Sequence, residues 1–256
     1  MSTPSSAVPN MPVEPASLQP ALSEVERVID TFIAPRKTFM DLRRSASWWL
    51  PFILGVIGTV AFTLTMQNKI GWEAVINYRF AHASFLQKIP PEQKQTVIDK
   101  QVASSGRSVY TTPVINLVFA AIFAALLLAT FNFGLDAQVK YKTVLAVVIY
   151  GYLPKLVWAA LSILVMFVGV EPEGFDMENP VATHLGAILG TNTDSRYLYH
   201  FLASFDLISI WCIFLIGLGM ATIANKKIKT STAVAWVVLW FVVGDLIRIA
   251  LVPFAG

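Results

Sequence analysis

The chain has 256 residues, 55% of them hydrophobic and 14% charged, with a mean hydropathy of +0.62, which is more apolar than a soluble domain of that length needs for its core. A net charge of +3 and a pI near 9.0 do not point to nucleic acid, because the basic residues sit at the ends of apolar runs, where the positive-inside rule places them. A lone cysteine, Cys212, excludes a disulfide framework and a thiolate metal site.

Residues 1–20 are rich in proline and serine and have too little apolar surface to offset the entropy of ordering, so they read as a disordered tail. No basic stretch there leads into an apolar core, and the first span is expected to serve as its own insertion signal. Two short helices are predicted over residues 23–44. The first is capped by Ser23 and carries Val25, Val28, Ile29, Phe32 and Ile33 on one face. The second starts at Pro35 with Phe39, Met40 and Leu42, ringed by Arg36, Lys37, Arg43 and Arg44. An apolar stripe with a basic rim suits a helix lying in the headgroup layer on anionic lipid. The alternative is packing against the protein's own cytoplasmic loops.

Five membrane spans are predicted, at residues 48–66, 112–135, 143–170, 199–225 and 230–254, each near the ~20 residues a bilayer core demands. Residues 67–111 form a polar excursion. Trp72, Val75, Ile76, Phe80 and Phe85 mark one amphipathic helix, Pro90-Pro91 breaks it, and Val97, Ile98 and Val102 mark a second, giving a helical hairpin over the bundle. The fold class is therefore all-α: a polytopic five-helix bundle with amphipathic interfacial helices and an exterior hairpin.

The short loops carrying Lys140, Lys142, Lys226, Lys227 and Lys229 belong inside, with the basic segment before Trp48. The loop with Glu171, Glu173, Asp176, Glu178 and Asp194 belongs outside. This orientation puts the amino terminus in the cytoplasm and the carboxyl terminus outside a cell (inner) membrane. Arg36, Lys37, Arg43, Arg44 and the Lys226, Lys227, Lys229 trio are the expected contacts to anionic lipid.

Charges inside spans are candidates for function by default. Counting ~1.5 Å per residue from the flanking lysines places Lys155 roughly 20 Å, Asp245 about 24 Å, Arg248 about 28 Å and Asp206 about 30 Å from the cytoplasmic edge. Asp245 and Arg248 are i,i+3 neighbours able to pair, and Lys155 is expected to seek Asp245 if the third and fifth spans touch. Asp206 is expected to reach the outer interface on its own. Such a cluster could line a polar cavity or hold helices in register, and the second use is the commoner one. Beside Lys155 lies Tyr150-Gly151-Tyr152-Leu153-Pro154, in mid-span. Pro154 is expected to kink the helix and free the carbonyl of Tyr150.

Phe205-Asp206 and Gly244-Asp245 put aspartates on adjacent spans, as in intramembrane aspartyl proteases. Those enzymes need glycine where Val242 stands, and Arg248 would keep Asp245 ionised instead of sharing a proton. His82, His184 and His200 have no metal-ligand spacing, and no phosphate-cradling or nucleophile-elbow motif occurs. Gly186 to Gly190 matches GxxxG only within a loop. No enzyme activity, cofactor or nucleic-acid partner is expected.

Arg27 to Phe39 (RVIDTFIAPRKTF), Tyr150 to Pro154 (YGYLP), Asn179 to Ala182 (NPVA) and Leu202 to Trp211 (LASFDLISIW) occur in an order that resembles bacterial members of the YIP family, membrane proteins named for interaction with Ypt/Rab GTPases. The resemblance spans roughly Ser23 to Phe254. It implies five membrane helices, a cytoplasmic amino end and, in the eukaryotic branch, membrane-traffic roles through partner binding. The chain lacks that branch's Asp-Leu-Tyr-Gly-Pro motif. The expected function is a non-enzymatic protein that organises membrane or partner proteins, with a lipid bilayer, an unidentified membrane or cytoplasmic protein and a second copy as candidate partners. The alternative is a small transporter or channel-like component using Lys155, Asp206, Asp245 and Arg248.

Overall fold

The computed structural model describes residues 20–82, 89–169, 171–177, 180–181 and 206–251. Helix α1 (Glu24–Ile33) starts with a capping box: the Glu26 amide donates to Ser23 Oγ (3.2 Å) and the Ser23 amide to Glu26 Oε2 (2.7 Å). That second bond, with the hydroxyl contact, holds the Glu26 carboxyl below the usual glutamate range. A lowered carboxyl pKa contributes stability above its unfolded value and loses it as pH falls through the folded value. Protection of the first-turn amides of α1, taken relative to the intrinsic exchange rate at each pH, is therefore expected to fall on acidification, and Glu26→Gln should abolish that dependence. An acid-insensitive turn in the wild type would contradict the assignment.

Helix α2 (Pro35–Leu42) takes Pro35 at its first position, where the missing N–H costs nothing. Helix α3 (Trp49–Lys69) is the first span. Gly71, at φ +86°, adopts the left-handed turn that glycine accepts, and leads into α4 (Trp72–His82). Helix α5 (Pro91–Ser105) returns beside α4, so the predicted hairpin is present, closed by Ile76, Phe80 and Ile98. Its foot rests on the bundle, where Val75 joins Phe62, Met66 and Phe175. Phe85 lies outside the described residues.

Helix α6 (Ser108–Ala129) runs on through a π-helical turn, Thr130–Gly134. The third span is two helices, α7 (Tyr141–Gly151) and α8 (Lys155–Val168). Helices α9 (Leu207–Ile223) and α10 (Thr230–Leu251) complete the described chain. Four segments are long and apolar enough to cross a membrane, namely Trp49–Lys69, Ser108–Gly134, Tyr141–Val168 and Thr230–Ile247; α9 is a shorter apolar helix of 17 residues. The expected start of the fourth span, residues 199–205, the end of the fifth, residues 252–254, the tail at 1–19 and most of the acidic loop lie outside the described residues.

Helices α7 and α9 form the centre. Every residue of α7 from Val144 to Gly151 is buried, as expected of a helix apolar all round. α9 packs on α7 at Gly219, where a Cβ would stand 2.6 Å from Val147, and on α10 at Gly217, where a Cβ would stand 2.7 Å from the Cα of Val234. At one end of the bundle three connections meet. Arg43 donates to Asn225 Oδ1 (3.2 Å), Asn225 donates to the carbonyls of Gln138 and Ala137 (both 3.0 Å), and Lys226 lies 4.0 Å from Asp136. The basic loops thus share one end, and the α4–α5 hairpin occupies the other.

The apolar side of α2, expected to rest on lipid or on the cytoplasmic loops, packs instead on the bundle helices. Phe39 and Leu42 belong to the main core, and the Phe39 ring would stand 3.0 Å from a Cβ at Gly219. α2 runs parallel to α9, with Arg43 at Asn225, Phe39 at Gly219 and, one turn into α1, Phe32 edge-on to Trp211. On α1 the polarity is split. Arg27, Asp30 and Thr31 are buried, Val28 and Phe32 pack on the core, and Val25, Ile29 and Ile33 stay exposed, Ile33 by 74%.

Candidate functional site at the broken third span

Pro154 has no N–H to continue the helical ladder, and the chain breaks there as its ring requires. The freed carbonyl is retaken locally: the Leu153 amide donates to Tyr150 O (3.1 Å), and the Lys155 amide to Tyr152 O (2.9 Å). Pro154 thus frees the Tyr150 carbonyl from its i+4 partner, as expected, and the Leu153 amide takes it up. Gly151 lets the break lie against α9, because a Cβ would collide with the Ile216 side chain.

The break turns two polar side chains towards two different neighbours. Lys155 Nζ donates to Ser209 Oγ (3.0 Å) and stands 3.9 Å from Asp206 Oδ2. Asp206 caps α9, accepting from the Ser209 amide (2.8 Å) and the Ser209 hydroxyl (2.5 Å). Lys155 therefore pairs with Asp206 through Ser209, which corrects both the expected pairing with Asp245 and the expected isolation of Asp206. The physical reason is the register. The carboxylate of an N-cap is fixed at the helix start, directly beside the first residue of α8. Asp245 is buried on α10; Gly217 opposite Val234 sets it level with Asp206 across the antiparallel pair. The side chain of Arg248 lies outside the described residues.

On the other side of the break, Tyr150 is fully buried and its hydroxyl donates to Glu24 Oε2 (3.2 Å). Glu24 also accepts from Arg27 Nη1 (3.0 Å), and Arg27 Nε and Nη2 make a two-toothed contact with Asp41 Oδ2 (2.7 Å each). The hydroxyls of Thr31 and Thr38 both donate to the carbonyl of Arg27 (2.7 and 3.0 Å). Tyr150, Glu24, Arg27 and Asp41 thus fasten α1 and α2 to α7 through polar groups in a mostly dry place. Sequence reasoning missed Ser209, Glu24, Arg27 and Asp41. Ser209 three residues after Asp206 was readable as an N-cap partner, but the Arg27–Asp41 pair had no local signal.

The basic residues singled out for lipid contact, Arg36, Lys37, Arg43, Arg44, Lys226, Lys227 and Lys229, are all exposed. Lys37 Nζ lies 2.9 Å from Asp30, and that bond raises the pKa of its ammonium. Arg36, Lys227 and Lys229 make no ion pair among the described residues. No group of three or more His, Cys, Asp or Glu gathers among the described residues, and His184 and His200 lie outside them.

Among the described residues α3, α6 and the α7–α8 break border a cavity of about 460 Å³, which Tyr152 and Lys155 line. The Lys155 side chain is 45% exposed there. The family model described as the Yip1 domain matches residues 29–247. No curated protein and no solved structure matches the chain.

Proposed function

The chain belongs to the Yip1 domain family, and from that premise we propose that it is a non-enzymatic organiser of membrane and partner proteins, working from its basic end. The observation that carries this is the docked α1–α2 hairpin. Arg27, Asp30, Thr31, Thr38 and Asp41 are buried, while Val25, Ile29, Ile33 and Met40 are left exposed, as are Arg36 and Lys37. An exposed apolar row bordered by cations complements an anionic lipid surface. By the positive-inside rule this end faces the cytoplasm of a cell (inner) membrane, with the carboxyl end outside. The transport reading stays second. It rests on the contact of Lys155 with Asp206 through Ser209, which also serves simply to fasten α8 to α9.

The cleanest test removes three of the exposed cations at that end, Arg36, Lys227 and Lys229, which make no ion pair among the described residues. Full-length protein carrying Arg36→Ala, Lys227→Ala and Lys229→Ala is expected to keep its helix content. Each cation near an anionic surface contributes about 1 kcal/mol. Enrichment of phosphatidylglycerol among lipids co-purified in mild detergent, and the yield of co-purified protein, should both fall several-fold. A lipid and protein complement identical to the wild type's would remove the basis of the reading.

A further inference from the structure

The cavity beside Lys155 is divided by polarity along its length. α3 leaves the loop end of the bundle and α6 returns to it, so the two run antiparallel, and the heights of their lining residues can be matched. Towards the loop end the walls are Pro51, Phe52, Val56, Leu117, Ala120 and Ile149, without a polar side chain. From mid-height towards the hairpin end come Lys155, Thr59, Asn116, Thr112 and Ser108.

Three of these polar groups are not fully partnered. Lys155 spends one of its three donors on Ser209, stands 3.9 Å from Asp206 and keeps 45% of its side chain exposed. Asn116 is exposed on an apolar helix, and its amide makes no hydrogen bond among the described residues. Ser108 Oγ is buried without a partner. Unpaired donors at membrane depth are costly, and Lys155 and Asn116 both line this groove. A purely hydrocarbon occupant would leave the Asn116 amide and the remaining Lys155 donors unpaired. A volume of about 460 Å³ lies within the ~300–1,000 Å³ range of small-molecule sites, which are apolar with a few placed polar groups.

We propose that this groove is a binding site for a single phospholipid, with an acyl chain against the apolar lower wall and the phosphate at Lys155 and Asn116. The phosphate accepts from the Asn116 amide and from the ammonium donors that Lys155 does not spend on Ser209. Asp206 stays charged as the α9 cap, and the Lys155 ammonium 3.9 Å from it offsets that charge. The site lies away from the basic loops and does not depend on lipid contact at that end.

The test uses the detergent-purified full-length protein, titrated with phosphatidylglycerol and with diacylglycerol of the same chains, and read by native mass spectrometry. A Cβ at Gly55 meets nothing within 4 Å, so Gly55→Leu fills the groove without displacing protein. Retention of phosphatidylglycerol should drop about ten-fold, equivalent to about 1.4 kcal/mol. Thr59→Leu fills the same space and serves if Gly55→Leu does not fold. Lys155→Met should keep chain binding and lose the preference for phosphatidylglycerol over diacylglycerol. Arg36→Ala, Lys227→Ala and Lys229→Ala together should leave this binding unchanged, which separates the groove from the headgroup contact at the other end. Wild-type retention in both groove-filling variants overturns the proposal. So does equal binding of diacylglycerol by the wild type, or displacement of the lipid by inorganic phosphate alone.

Discussion

Replacing Gly217 with alanine is expected to be the most damaging addition of one methyl group to the described bundle. The new Cβ would stand 2.7 Å from Val234 Cα and 2.9 Å from its nitrogen, so the obstacle is backbone and cannot rotate away. α9 and α10 would have to separate along their whole contact. Overpacking a close-packed interior costs typically about 1–3 kcal/mol, and a backbone obstacle belongs at the top of that range. For a chain of this size that is a fall in apparent melting temperature of roughly 5–10 °C. Gly219→Ala should cost less, because it meets the Val147 side chain and the Phe39 ring, both able to shift. Gly55→Ala, facing open space, should be neutral or gain up to about 1 kcal/mol of helix propensity. Thermal unfolding of the three variants in detergent tests the order. A Gly217→Ala melt within a degree or so of the wild type would refute the close packing of α9 on α10.

The second large effect is at Arg27. Its side chain is only 4% exposed and lies between Asp41 and Glu24. Arg27→Met leaves the Asp41 carboxylate, itself 7% exposed, in place without its main counter-ion. Breaking a buried pair from one side costs about 3–5 kcal/mol, whereas replacing both partners by apolar residues is often neutral. The α1–α2 hairpin should therefore detach from α7 and α9 in the single variant. Combining it with Asp41→Leu should restore most of the attachment. Protease cutting between residues 20 and 48 and amide exchange at Phe39 report this directly. If the double variant is as loose as the single one, the damage comes from lost packing of the arginine stem and not from an uncompensated charge.

The spans were legible because a run of about 20 apolar residues has few other uses, and the break was legible because Pro154 cannot continue a ladder. Pro90-Pro91 likewise marked the turn of the α4–α5 hairpin. The placement of α2 was not legible. Phe39 and Leu42 make the same stripe whether lipid or protein covers it, and periodicity cannot distinguish the two. The polar latch was hidden for a related reason: Arg27 and Asp41 read as the wet side of an amphipathic helix, whereas the fold buries them and exposes Val25, Ile29 and Ile33. Lys155 was recognisable as a costly residue, but its partner depended on how far α9 reaches, and Asp206 as an N-cap set that length.

Arg43 and Asn225 touch across 182 residues of sequence, and this fixes an order of events during synthesis. The α1–α2 segment leaves the ribosome first, and the groove on α9 that receives Phe39 is translated near the end. At about 5–20 residues per second the wait is roughly 10–40 s, far longer than a helix takes to form. Throughout that interval the stripe of Phe32, Phe39 and Leu42 must be covered by a membrane surface or a chaperone. The amphipathic character of the segment thus describes its nascent state as well as its finished one, and docking onto α9 has to wait for α9 itself.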